Sequence, residues 1–461
     1  MLFADLLFLY FFLPVCLICY FLTRSTDTRN IVLIVFSFIF CAWGDPKWVA
    51  ALLISAVMNY FTGRFIGEHK GISGKLTLAF AIIFDIGLFG LYKYILPVTS
   101  AASILTMPMG LGFYTLQTIS YNVECFRRKV EPERSFIKFL LYISFFAKLS
   151  AGPVVRYSTI GKELTDRKTT IQDFSEGFTK LSIGLCKKAI LANYLADAVH
   201  RLFGEKSDGY AALSSLSVLG CWLGAAMTML WLYFDISGYC DIASGIGRLF
   251  GFHFGENFNY PMVCKSIRDF MDRWFISLTS FFKDHMIYTK LFAGKMKGIA
   301  YLLGCVLMGL WHGLDLNFLI WGLFLGIFMM TETFIGKKRM KKMPSAAAHI
   351  YTKLVLIISF GMFYFNKLPA LVGFLKGLIG LNGNAFADAY TGRVFLGNIW
   401  LFAAAILFSL PVIPKLREKA FRSAGSAYAY QAAGVICNAL LLLAGSLMLS
   451  SRSYPFIYFN I

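Results

Sequence analysis

The chain has 461 residues, 58% of them hydrophobic and only 15% charged, with a formal net charge of +19. A soluble domain carries about 45–50% apolar and about 25% charged residues, so the composition excludes one, and continuous apolar runs exclude a β-barrel, whose segments of about ten residues alternate. The positive charge sits in short loops between apolar runs, which follows the positive-inside rule and argues against nucleic acid as a partner.

The first stretch, MLFADLLFLYFFLPVCLICYFLTR, has no basic start and no small-residue cleavage site. It predicts a membrane helix over Leu2–Leu22 that stays with the chain. Cys16 and Cys19 lie inside that run with no second pair, so neither a metal site nor a disulfide framework is expected. Further helices in or on the membrane are predicted over Asn30–Ala42, Lys47–Thr62, Leu76–Leu96, Gly110–Phe126 and Phe136–Leu149. Next come Phe174–Phe203, Ala211–Phe234, Ser266–Leu291, Lys297–Leu310 and Asn317–Phe334. The last are Ile350–Phe365, Ala370–Leu378, Phe395–Pro411 and Tyr428–Leu449. Between Phe174 and Leu316 charge mixes densely with apolar residues. Such backbone survives at membrane depth only when protein buries it or a wet cavity receives it, which predicts re-entrant or interfacial helices. No internal repeat and no low-complexity linker is evident, so residues 1–461 read as a single integral domain in contact with the lipid bilayer.

The basic loops Arg127–Arg134, Lys337–Lys342 and Lys415–Arg422 are expected on the cytoplasmic side. Counting back from Lys337 puts the start of Asn317–Phe334 near the outer face, and the terminal SRSYPFIYFNI outside.

An ionisable side chain within the membrane is costly and marks a functional site by default. His312, in GLWHGLDLN, is the leading candidate, with a core histidine bonded to a carbonyl as the structural alternative. Gly313 beside it would admit another chain or a ligand. Asp315 is three residues on and is a candidate to orient the imidazole. His69, His200, His285 and His349 sit in or beside polar surroundings, and only His253 is a second candidate to line a cavity. No H-E-x-x-H spacing occurs, so no metal site is predicted. Asp235, in the glycine-rich stretch Trp231–Pro261, is expected either to bind a polar substrate or to pair with Arg248 or Arg268. The glycines there suggest tight turns or close helix packing. In Ser266–Tyr288 charges alternate with aromatics, as on an interfacial helix, and Arg273 is a candidate to hold a substrate. Arg156, after Ala151-Gly152-Pro153, is a candidate to hold a phosphate or carboxylate, with a lipid headgroup as the plainer contact.

Together these clusters resemble the membrane-bound O-acyltransferase family, in particular its bacterial, alginate O-acetyltransferase-like branch. The resemblance rests on Gly110–Arg128, Ala151–Tyr157, Phe234–Pro261, Ser266–Ile287 and Gly309–Gly322, in that order, with a weaker likeness in Tyr454–Ile461. It implies an all-α polytopic bundle with re-entrant helices and a central tunnel, its core motifs within residues 110–322. It places the family's catalytic histidine at His312. It also implies an O-acyltransferase of the bacterial cytoplasmic membrane that moves an acyl group, acetyl, from a cytoplasmic thioester to an extracytoplasmic polysaccharide or cell-wall polymer. Acetyl-coenzyme A would be a co-substrate rather than a resident cofactor, and a separate extracytoplasmic acyltransferase would be a partner. One departure stands out. Bacterial relatives read R-W-H where this chain has Arg273-Trp274-Phe275, and a phenyl ring cannot carry a proton. Either His312 suffices, or a neighbour such as His285 compensates, or activity is altered. A non-catalytic scaffold of a polysaccharide-modifying complex and a polyprenyl-sugar transporter are the alternative readings.

Overall fold

Long apolar runs interrupted by cap residues dictate helices, and the computed structural model is built of them. It describes residues 3–451 apart from 70, 100–104, 151, 288, 290, 291 and 293, and no strand occurs among the described residues. The ending Tyr454–Ile461 lies outside them. Among the described residues six helices are long and apolar enough to cross a bilayer: Lys47–Glu68, Ile72–Val98, Val218–Leu249, Leu316–Ile335, Ser345–Tyr364 and Gly425–Ser450. A seventh candidate is a pair, Ala389–Gly397 and Ile399–Phe408, bent by 58°. Side-chain caps set several starts. Ser25 accepts from Thr28 N at 3.2 Å, Ser266 from Asp269 N at 3.0 Å and Asp388 from Thr391 N at 2.7 Å, each satisfying a first-turn donor.

Most helices fall where the apolar runs put them, and the differences have local causes. The helix expected to end at Phe234 runs on to Leu249 and takes Asp235 and Asp241 inside it. Its glycines serve packing rather than turns. A Cβ on Gly245 would stand 2.6 Å from the carbonyl oxygen of Gly177. The turn comes only at Gly251, where φ is +79°. The expected Ser266–Leu291 helix is broken into Ile267–Arg273 and Ile276–Phe282, followed by a π-helical turn over Lys283–Ile287. Both α-helical pieces are shorter than a bilayer span.

The chain divides into two compact units, Met1–Gly184 with Tyr239–Glu256, and Leu185–Gly238 with Asn257–Ile461. The first has an aromatic centre in which Phe8, Phe12, Phe40 and Phe146 meet at centroid distances of 5.3–6.2 Å. It also buries a polar chain between helices. Asp85 accepts from Asn59 Nδ2 and from Thr118 Oγ1, both at 2.8 Å, and Asn122 Nδ2 donates to Asn59 Oδ1 at 2.6 Å. Buried polar groups must be paired in this way.

In the second unit, Lys297–His312 and Leu316–Ile335 form a tight hairpin joined by three residues. Small residues let the two backbones touch. A Cβ on Gly309 would come within 2.3 Å of the Phe318 carbonyl oxygen, and one on Gly322 within 2.6 Å of that of Cys305.

Candidate functional site

His312 is the last residue of the first hairpin helix and is 5% exposed. Its ring stands edge-on to Phe363 at 5.0 Å and to Trp321 at 5.7 Å. It opens onto a cavity of about 50 Å³, against the roughly 10–15 Å³ that one water occupies on that scale. Met308, one turn before the histidine, lies on the same helix face and lines the same space. The walls come from Leu232 and Ile236 of the long helix, Phe270, Trp274 and Phe275, and Ser359, Phe360 and Phe363 of the Ser345–Tyr364 helix. His312 is the only basic side chain among the lining residues, and no carboxylate is among them.

Three polar groups in that lining escaped sequence reasoning: Ser359, Thr279 and the indole of Trp321. Trp321 Nε1 donates to Ser359 Oγ at 2.9 Å, so the serine oxygen is occupied as an acceptor while its O–H can serve an oxygen in the cavity. Thr279 Oγ1 donates to the Trp274 carbonyl at 3.1 Å. Ser359 stood within LIISFGMFYF as the one aliphatic hydroxyl in an apolar span, and that was the available signal.

Phe275 lines the same cavity as His312, at the break between the two short helices. Its backbone is left-handed, with φ 44° and ψ 57°. That region is uncommon for non-glycine residues and is several-fold enriched in Asn, Asp and His. Asn257 holds the break: its carbonyl accepts from Ile276 N at 2.8 Å and its Oδ1 from Ser277 N at 2.9 Å.

The other residues singled out in the sequence stand elsewhere. Asp235 is fully buried and faces Lys188 Nζ at 2.5 Å, so its ion partner is neither Arg248 nor Arg268. Lys188 could not be found from spacing, because 47 residues separate the pair. Arg273 is tied to Asp269 Oδ1 at 2.8 Å and donates to the Asn259 carbonyl at 3.2 Å. Asp315 is exposed at the N-cap of Leu316–Ile335 and makes no capping bond. No hydrogen bond or ion pair joins it to His312 among the described residues. Gly313 makes room for a ring rather than a ligand, since a Cβ there would meet Phe318 at 2.8 Å. Arg156 belongs to the first unit, at the start of Tyr157–Ile160, and does not line the cavity. His285 packs on Phe281 at 4.7 Å and is also absent from the lining. Among the described residues no group of three His, Cys, Asp or Glu side chains is placed to hold a metal ion.

His253 lines no part of this cavity. It belongs to the first unit, where Nδ1 is 2.8 Å from Glu163 and Nε2 is 2.8 Å from Asp173. Arg248 pairs with Glu176 at 2.5 Å beside it. Partial burial opposes charge on His253, but the hydrogen bonds to Asp173 and Glu163 outweigh it and raise the imidazole pKa above its usual value. Burial would push the Asp173 carboxyl up, yet the bonds from Thr170 and His253 hold it at about 2.

A chain that is helical throughout its described residues, with this many bilayer-length helices and a histidine opening onto an apolar cavity, is a multi-pass membrane protein. The sequence pattern of the membrane-bound O-acyltransferase family matches residues 48–371. The chain is 30% identical to a probable alginate O-acetylase of Pseudomonas putida over the full length of both. It is 29% identical to a peptidoglycan O-acetyltransferase of Helicobacter pylori, over 83% of this chain and 80% of that one. It is 27% identical to a teichoic acid D-alanyltransferase of Bacillus subtilis, over 57% of this chain and 69% of that one. The chain therefore belongs to the membrane-bound O-acyltransferase family, and it is an acyltransferase of the bacterial inner membrane.

Proposed function

We propose that this enzyme transfers an acetyl group from a cytoplasmic thioester, acetyl-coenzyme A, to a hydroxyl of an extracytoplasmic polysaccharide or cell-wall polymer, through a separate extracytoplasmic partner protein. His312 is the general base. The acceptor O–H bond breaks as its oxygen bonds to the thioester carbonyl carbon, and the imidazole takes the proton. The C–S bond then breaks, and the proton passes from His312 to the leaving thiolate. Ester and thiol are the products, and the imidazole is neutral again. A positioned base of this kind contributes roughly 10²–10⁴-fold. Ser359, whose oxygen is engaged by Trp321, donates its O–H to the oxyanion of the tetrahedral intermediate. Arg273 and Asp235, each held by a partner, fix the helices that wall the chamber. Asp315, exposed at the hairpin turn, is left to meet a polar part of donor or acceptor.

The observation that carries this reading is the setting of His312: one base in a small chamber of aromatic and aliphatic walls. The names of the relatives support the acceptor class, since they act on alginate, peptidoglycan and teichoic acid.

The test is transfer of label from radiolabelled acetyl-coenzyme A in membrane vesicles carrying wild type, His312→Ala or Phe275→His. Transfer by wild type and silence of His312→Ala at equal expression is the expected result. If only Phe275→His transfers, the chain needs a second imidazole and the single-base mechanism is wrong. If no variant transfers acetyl with a polymer-bearing membrane present, the donor or partner assignment fails.

A further inference from the structure

A second cleft lies in the second unit, away from the residues that line the histidine chamber. Its volume is about 590 Å³, within the range of roughly 300–1,000 Å³ typical of small-ligand sites. Its walls include Arg201, Arg393, one carboxylate, Asp197, and Tyr194, Tyr390 and Asn398. The helix Asn193–Phe203 packs here against both halves of the bent pair, and Tyr390 donates its hydroxyl to the Arg201 carbonyl at 2.8 Å.

Three observations converge on this cleft. The first is the bend itself. Gly397 and Asn398, where the pair turns by 58°, line the cleft. A broken helix at membrane depth is tolerated where its freed backbone borders protein or a wet cavity. The second is charge. Arg201 shares its guanidinium with Asp197 at 2.8 Å, whereas Arg393 has no ion pair or hydrogen bond of its side chain among the described residues. The third is the exposed apolar surface of the bent pair itself. Leu396 and Trp400, on either side of the break, are 66% and 85% exposed. An exposed Trp beside Tyr and Arg is the composition of the bilayer interface, and Arg forks match phosphate oxygens in pairs.

We propose that this cleft is a specific site for the headgroup of an anionic phospholipid, with Arg393 as the principal phosphate contact and Arg201 as the second. Tyr390, Tyr194 and Asn398 wall the rest of the cleft, Tyr194 donating its hydroxyl to Met448 Sδ at 3.2 Å and Asn398 its amide to the Val394 carbonyl at 2.9 Å. Basic pockets between membrane helices bind lipid headgroups on the same physical grounds.

The test uses the full-length protein, purified and placed in phosphatidylcholine bilayer discs, with phosphatidylglycerol added as the probe. Retained lipid is counted by native mass spectrometry. Wild type is expected to keep phosphatidylglycerol over phosphatidylcholine, and Arg393→Gln to lower that affinity about ten-fold, the loss typical of one charged hydrogen-bonded contact. Arg393→Lys restores part of it, because the charge remains and the fork does not. Arg393 is exposed, so the melting temperature in phosphatidylcholine serves as the folding control and is expected to be unchanged. Equal retention by wild type and Arg393→Gln overturns the proposal, as does equal retention of the two lipids. If glycerol 3-phosphate displaces the lipid at a similar concentration, the site reads a free phosphate and the lipid assignment is wrong. If an anionic oligosaccharide binds in an Arg393-dependent way and phosphatidylglycerol does not, the cleft belongs to the acceptor polymer instead.

Discussion

Two histidines in this molecule show how differently one side chain is used. His253 gives both ring nitrogens to carboxylates, Glu163 and Asp173, and stands 43% exposed at a loop. His312 is enclosed by Phe363, Trp321 and Phe318, and no carboxylate lines its cavity. The first arrangement favours the imidazolium and turns the residue into a strut between segments distant in sequence. The second sets the ring among aromatic side chains and leaves a cavity on one side of it. The neighbours, not the histidine, decide the role.

The sharpest way to break this contrast is to remove each imidazole in turn. His312→Ala is expected to lower acyl transfer by about 10²–10⁴-fold at an unchanged melting temperature, measured by label transfer beside a thermal scan. A large loss of stability would instead make His312 a strut of the same kind as His253. The next effect concerns the walls of the chamber. Lys188→Met leaves Asp235 buried without its partner, and breaking such a pair is expected to cost about 3–5 kcal/mol. The double change Lys188→Met with Asp235→Leu should recover most of that in denaturant unfolding, and failure to recover would give the charges a role beyond pairing. Gly309→Val drives a side chain toward the Phe318 carbonyl oxygen and is expected to cost about 1–3 kcal/mol. Because His312 ends the same helix, transfer should fall with it. Ser359→Ala takes the acceptor from the Trp321 indole, expected to cost about 1–3 kcal/mol. It should slow transfer more than it lowers substrate affinity if the hydroxyl serves the oxyanion.

The smallest effect belongs to His253→Gln. The raised pKa of His253 means that its stabilisation is complete below about 6.5, the unfolded value, and fades as pH rises through the folded one. Asp173, held at about 2, contributes above its unfolded value of 3.8 and is lost only as pH falls through about 2. Wild type should therefore melt slightly higher than His253→Gln at pH 5, and the two should converge at alkaline pH. A difference that grew with pH would refute the clamp.

Much of this was legible beforehand, because helices in a membrane announce themselves by apolar length. His312 was legible for the same reason: an ionisable group in an apolar run has few innocent explanations. The pairs were not. Lys188 meets Asp235, and Asn59 meets Asp85 and Asn122, only after helices from separate parts of the chain have packed, and no local spacing encodes that. Ser359 becomes a chamber residue through Trp321, 38 positions away. The helix past Phe234 was missed for another reason. Its glycines read equally as turn formers or as packing residues, and Gly245 turns out to admit the Gly177 carbonyl. Gly313 read as room for another chain or a ligand, and the Phe318 ring takes that space.

The three-residue turn after His312 bears on how the protein is made. Lys297–His312 and Leu316–Ile335 are neighbours in sequence, so they can pack as soon as both leave the translocation channel. The histidine is thus delivered to the bilayer already mounted at the end of a closed hairpin. Ser359 and Phe363 belong to a helix that is synthesised later and completes the chamber around it. During synthesis there is an interval in which His312 is mounted on its hairpin and the Ser345–Tyr364 wall of its cavity is not yet made.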